Sequence, residues 1–115
     1  MAKIFLDDIR DCPYEGRDWL VVRTVEMAKE CFLPSSGIGY RLHIEAVSFD
    51  HDMGMDEQGN LLPTGMDFAK WLVEYDQEHN VLGDDFYFIV HSANGPGAAN
   101  IQSLMESYLK FKRES

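Results

Sequence analysis

The stretch Ile44-Glu45-Ala46-Val47-Ser48-Phe49-Asp50-His51-Asp52 decides the fold. It becomes nearly continuous in apolar residues toward its end, then breaks abruptly into acid and imidazole. A short apolar run of this kind reads as a strand covered on both faces, the situation of a central strand in a parallel sheet. Two other segments end the same way, Ile4-Phe5-Leu6-Asp7-Asp8 and Phe88-Ile89-Val90-His91-Ser92-Ala93-Asn94. In an open parallel sheet the carboxyl ends of the strands share one edge, and ligands bind along it. The three polar clusters are therefore expected to converge.

The rest of the chain supplies the connections. Residues 3–8 predict a first strand. Residues 9–18 hold Pro13 and Gly16 and no helical period, which predicts a loop. Trp19-Leu20-Val21-Val22-Arg23 is β-branched and aromatic and predicts a second strand. Thr24 is placed as an N-cap, with Glu26 in the first turn and a stripe of Val25, Ala28, Cys31 and Phe32 running to a stop at Pro34. Residues 35–43 read as a loop, and Met53 to Pro63 as a polar loop long enough to act as a lid. Thr64 with Asp67 resembles a capping box, and a helix carrying Phe68, Ala69, Leu72 and Val73 follows to about His79. A fourth strand spans residues 85–91. A last helix carries Ile101, Leu104, Met105, Tyr108 and Leu109 on one face, with Lys110, Lys112 and Arg113 in its last turn, where cations suit the helix dipole. The alternation predicts an α/β fold: a mostly parallel sheet with right-handed crossovers and about three helices.

The chain has 115 residues, 45% of them hydrophobic, including seven Phe, five Tyr and two Trp. That is enough for one domain with one core. No apolar run approaches the roughly 18 residues of a membrane helix. The opening Met1-Ala2-Lys3-Ile4-Phe5-Leu6-Asp7 reaches an acid too early for a secretory signal. Cys12 and Cys31 are expected as free thiols of a cytoplasmic protein, not as a disulfide framework. With 20 acids against 10 bases the net charge is −10. Such a surface lacks the basic face that general nucleic-acid binding requires. A small phosphorylated ligand is still allowed where a metal ion or a few local cations offset the repulsion.

Adjacent strand residues point to opposite faces, so Asp7 and Asp8 are expected to diverge, one of them entering the cleft. Asp50 and Asp52 share a parity, with His51 on the other unless the strand has already bent. Several carboxylates in one crevice repel, so either some are protonated or a cation sits among them. Oxygen ligands suit Mg²⁺, Mn²⁺ or Ca²⁺, and added imidazole suits Mn²⁺ or Zn²⁺. Asp7, Asp8 and Asp50 are the candidate metal ligands. His51 and His91 are the acid–base candidates, since an imidazole titrates near neutrality. Asn94-Gly95-Pro96-Gly97 opens a helix, where free amides favour anions and glycine admits a close phosphate. Ser92, Asn94, the amides near Gly97 and the guanidinium of Arg10 are the candidate phosphate contacts.

Leu6-Asp7-Asp8, Asp50 and Ser92 resemble the pattern of two-component receiver domains, in which an acidic pair holds Mg²⁺ and an Asp accepts a phosphoryl group. A closer resemblance is to a receiver-like family described as cyclic-phosphate processing. Its pattern appears here as Leu6-Asp7-Asp8-Ile9-Arg10, Trp19-Leu20-Val21, Ser48-Phe49-Asp50-His51-Asp52-Met53-Gly54 and His91-Ser92-Ala93-Asn94-Gly95-Pro96-Gly97. Met53 stands for Leu, and Gly95 precedes Pro96 where the family places Pro first. The resemblance implies a reduced flavodoxin- or receiver-like sheet of order 2-1-3-4, with its switch point between the first and third strands. It also implies a role on cyclic nucleotides or cyclic-phosphate termini of RNA. Joined to the acids and histidines, it points to a metal-assisted phosphoesterase using Mg²⁺ or Mn²⁺. His51 and His91 would share proton transfer, Asp52 would orient His51, and Asp50 would join the catalytic group as a holder of the cation. The alternatives are a module that sequesters such a ligand uncleaved, and a phosphoacceptor or protein-interaction receiver using Asp50.

Overall fold

The computed structural model describes residues 2–15, 18–33, 43–55, 57–92 and 94–114. Its elements are β1 (Ala2–Leu6), β2 (Trp19–Val22), α1 (Val25–Glu30), β3 (Ile44–Phe49), α2 (Gly65–His79), β4 (Tyr87–Val90) and α3 (Gly95–Glu114). The four strands form one parallel sheet in the order β2-β1-β3-β4. The α/β fold, its strand order and its three helices agree with the sequence reading.

Two faces of the sheet are treated differently. The connection from β1 to β2 runs one way across the sheet, and those from β2 to β3 and from β3 to β4 run the other. Right-handed crossovers then put the later helices on a common face. One buried cluster accordingly joins Ile4, Leu6, Val22, Val47 and Phe49 to Val25 and Ala28 of α1, Phe68 and Leu72 of α2, and Ile101 and Met105 of α3. Phe5 and Ala46 are buried but stand outside that cluster, as their alternate parity requires. The loop after β1 covers this second face: Tyr14 meets Phe5 edge-on, with ring centroids 5.9 Å apart, and lies 4.7 Å from Trp19.

Two sequence boundaries shift. The helix expected to continue through Phe32 ends at Glu30, and the amides of Cys31, Phe32 and Leu33 bond three residues back. The tightened turn still buries Phe32, so an apolar stripe persisted beyond the helix itself. Pro34 and the loop over 35–42 lie outside the described residues. The last helix begins at Gly95, so the glycine-rich stretch forms its first turn and is not a loop before it. The expected capping box is present: the Thr64 hydroxyl accepts from the Asp67 amide, and the Asp67 carboxylate accepts from the Thr64 amide.

Helices α2 and α3 are locked by one acid away from the strand ends. Asp76 is 3% exposed. It accepts from the Leu82 amide (2.7 Å), the Tyr108 hydroxyl (2.5 Å) and the Lys112 ammonium (2.7 Å). Burial opposes its charge, but the bonds from Lys112, Tyr108 and Leu82 outweigh that and hold its carboxyl below the ordinary value. Asp76→Ala is expected to lower stability by about 3–5 kcal/mol in urea unfolding, the usual result of stranding one member of a buried pair. A depressed carboxylate stabilises above its unfolded value of 3.8 and loses that contribution as pH falls through the lower folded value. The difference between wild type and Asp76→Ala should therefore shrink in acid, below about pH 4.

Candidate functional site

The strands are paired so that Leu6, Phe49 and Val90 stand side by side across β1, β3 and β4. The next residue on each strand is Asp7, Asp50 and His91. The ladder continues one step to meet them, since the Asp50 amide donates to the Leu6 carbonyl (3.1 Å) and the His91 amide to the Phe49 carbonyl (3.0 Å). All three follow the parity of Phe5, Ser48 and Ile89 and so belong to the second face. Each offers one carboxylate oxygen or ring nitrogen, and the three atoms lie within 4.8 Å of one another.

Ser48 is what lets His91 reach so far. It is fully buried in the middle strand, and it is small. The His91 ring lies across it and stacks on Phe5, with centroids 4.5 Å apart and planes 11° from parallel. In that position Nδ1 is 2.7 Å from Ser48 Oγ, and Nε2 is 3.1 Å from Asp7 Oδ2. Ser48 Oγ in turn lies 3.1 Å from the Tyr14 hydroxyl. The chain Tyr14–Ser48–His91–Asp7 can run either way, because both hydroxyls donate and accept. With Nε2 protonated toward Asp7, Ser48 donates to Nδ1. With a bare Nε2, Nδ1 donates to Ser48 and Ser48 to Tyr14.

Asp7 is 1% exposed. Its other oxygen accepts from the amides of Ile9 (2.9 Å) and Arg10 (2.8 Å). Burial works against its charge, but those amides and His91 prevail and hold its carboxyl below the ordinary value. Asp50 behaves oppositely. Burial and the charge of Asp7 push it up, and the His51 amide, His91 and Ser92 offset this only in part. A second carboxylate forced upward by its neighbour is the electrostatic mark of a place where a cation would be welcome. Asp7, Asp8, Asp50 and Asp52, with Ile9, Arg10 and Gly54, line a crevice of about 280 Å³ at the β1/β3 switch.

The family description of a cyclic-phosphate processing receiver domain matches residues 2–107. The chain belongs to that family. No curated protein and no solved structure gives a match.

In this receiver domain the remaining sequence candidates form a second group. His51 has the parity opposite to Asp50 and Asp52, and its ring packs toward the start of α3. A Cβ on Gly97 would meet its Cγ at 2.5 Å, so glycine at 97 leaves room for the imidazole. His51 Nδ1 lies 2.9 Å from Asp52 Oδ1. The Asn94 amide nitrogen lies 3.3 and 3.4 Å from the two Asp52 oxygens and 3.4 Å from His51 Nδ1. Hydrogen bonds from His51 and Asn94 hold the Asp52 carboxyl below its ordinary value.

In the structure the expected phosphate contacts have partners within the protein. The Gly97 amide is taken by Asn94 Oδ1 at 2.9 Å, capping α3 from within. Ser92 Oγ accepts from the Asn94 amide at 3.1 Å and bonds Asp50. Ser92, Asn94 and Gly97 therefore order the acids and His51 in the geometry seen here. Arg10 lines the crevice and reaches the His91 carbonyl at 3.5 Å. Asp7 and Asp8 both line it, against the expectation that only one would.

Sequence reasoning passed over Tyr14, Ser48 and Phe5. Parity could have found Ser48, a hydroxyl one step before Asp50 on the same face. Nothing local could have found Tyr14, whose place depends on how the loop folds back. Ser48→Ala leaves the His91 and Tyr14 partners short of a buried bond, at about 1–3 kcal/mol. Urea unfolding should show that loss. ¹⁵N NMR should show the His91 Nδ1 resonance moving as it loses its Ser48 partner, while Nε2 keeps its contact with Asp7.

Proposed function

We propose that this receiver domain is a metal-assisted phosphoesterase acting on a cyclic phosphate of a nucleotide or an RNA end. The observation that supports it best is the in-register rank of Asp7, Asp50 and His91, with ligand atoms within 4.8 Å at a crevice of four carboxylates. The donor set fits a hard divalent cation: Asp7 and Asp50, with Asp8 beside them, offer oxygens, and His91 offers one nitrogen. One imidazole among carboxylates suits Mn²⁺ at least as well as Mg²⁺. Bound there, such an ion would polarise a phosphoryl oxygen and lower the pKa of its bound water.

The protein's own groups do the rest. Ser48 and Tyr14 fix the His91 ring from behind, as outer partners of ligating histidines do. The Arg10 guanidinium, on the rim, offsets the charge of an incoming phosphate. Once Nε2 of His91 serves as a donor it cannot also exchange protons. That work falls to His51, whose Nδ1 is held by Asp52 and whose Nε2 is left to take or give a proton. His91 thus moves from the acid–base pair of the sequence reading to the ligand set.

A second reading, a module that sequesters the ligand uncleaved, is favoured by a separate observation. Both His91 nitrogens already have protein partners, and His51 is not among the residues lining the crevice.

A panel of 3′,5′- and 2′,3′-cyclic nucleotides and RNA ending in cyclic phosphate, assayed with and without Mg²⁺ or Mn²⁺, separates the readings. Cation-dependent ring opening of at least one member is expected. His51→Gln should lower kcat by about 10²- to 10⁴-fold, the usual size of a lost general acid or base, with cation affinity retained. Ligand recovered unchanged after stoichiometric binding would establish sequestration. Neither turnover nor binding, from folded protein, would sink both.

A further inference from the structure

A second cavity adjoins the acidic crevice and has no part in the chemistry described so far. It measures about 430 Å³ and is lined by Phe5, Arg10, Asp11, Pro13 and His91. That size lies within the roughly 300–1,000 Å³ of small-molecule sites. Its walls are mostly apolar: the ring of Pro13, the Phe5–His91 stack and the aliphatic stem of Arg10. The two cavities share Arg10. They also meet across the His91–Asp7 contact of 3.1 Å, since His91 lines one and Asp7 the other.

We infer that this cavity is a nucleobase subsite, which seats the base of a nucleoside cyclic phosphate beside Phe5, Pro13 and His91. The assignment rests on the cyclic-phosphate reading and adds to it the place where the base sits. A cyclic phosphate needs one charged pocket. A nucleotide needs in addition a flat, largely apolar slot at the distance of one sugar, with a polar group on its rim. Here the acidic crevice and the apolar cavity stand on two sides of one residue. His91 already stacks nearly parallel on Phe5 (4.5 Å, 11°), so a flat base laid against it continues an existing stack. Pro13 closes the slot from the loop. Asp11, whose side chain is fully exposed and 3.3 Å from Arg23, offers the rim an acceptor for amino or imino hydrogens of a base. Arg10, between the two spaces, faces phosphate on one side and the π-face of a base on the other.

The same geometry explains the role of Arg23 at the end of β2. Its guanidinium donates to the carbonyls of Asp7 (3.2 Å) and Arg10 (2.5 Å). It thereby holds the segment that forms one wall of both cavities.

The test is a ¹⁵N NMR titration of the full chain in Mg²⁺ with two probes: adenosine 2′,3′-cyclic phosphate, and ribose 2′,3′-cyclic phosphate, which has no base. Stacking of one base should make the nucleoside probe bind on the order of 5- to 150-fold more tightly. Both probes should shift the amides of Asp7 and Asp50. Only the nucleoside should shift Phe5 and Asp11, whereas His91, which touches both spaces, should shift with either probe. Pro13→Asp, at an exposed loop position, should bring the two affinities together. Equal affinities in the wild type would overturn the base subsite and leave the phosphate site standing. No shift with either probe would overturn both. Shifts at Phe5 and Asp11 without any at Asp7 and Asp50 would support the base subsite and contradict the phosphate reading.

Discussion

The in-register pairing of β1, β3 and β4 is the constraint on which the rest of the molecule depends. Because Leu6, Phe49 and Val90 stand in one row, the residues that follow them must stand in the next. Strand parity then sends Asp7, Asp50 and His91 to one face and His51 to the other. A slip of one residue on any strand would turn its polar group away. The register is held by burial: Leu6 and Phe49 lie fully inside the cluster shared with all three helices. Packing on one face thereby fixes chemistry on the other.

Unequal covering of the two faces gives the site its character. Among the described residues, three helices seal one side, and the segment after β1 lies over the other. On that thinner side a small residue, Ser48, takes the place where a larger one would fill the layer. His91 can then cross the middle strand and join Phe5 and Asp7 on β1. The loop that brings Tyr14 to Ser48 also brings Arg10 and Pro13 to the edge, and Arg23 ties it down. Asp76, far from this edge, holds α2 to α3 and so keeps the helical side in place.

Much of this was legible in the sequence. Apolar runs ending in acid and imidazole marked the strands and the edge where those groups converge, and the alternation of elements implied a parallel sheet. The order 2-1-3-4 came from the family resemblance. Counting by twos set His51 against Asp50 and Asp52; its ring packs toward Gly97, yet its Nδ1 lies 2.9 Å from Asp52 Oδ1. Contacts made through space were not legible. The Asn94-Gly97 segment has the composition of an anion loop, yet Asn94 caps the helix and Gly97 makes room for His51. Asp8 diverges from Asp7 by parity, but the chain bends after Leu6 and brings both to the crevice. Cys31 and Phe32 continue the helical pattern past the end of α1 because burial, not helix geometry, selects Phe32. Tyr14 reaches Ser48 through a loop whose path no periodicity encodes.

The central claim is that Asp7, Asp50 and His91 form a cation site for phosphate chemistry. Its most direct test is anomalous diffraction from crystals of the full chain soaked in Mn²⁺. The account predicts one peak at the place where Asp7, Asp50 and His91 converge. Loss of that peak in Asp50→Asn crystals soaked identically should follow. A saturating soak that leaves this point empty while His91 Nε2 stays on Asp7 would contradict the account.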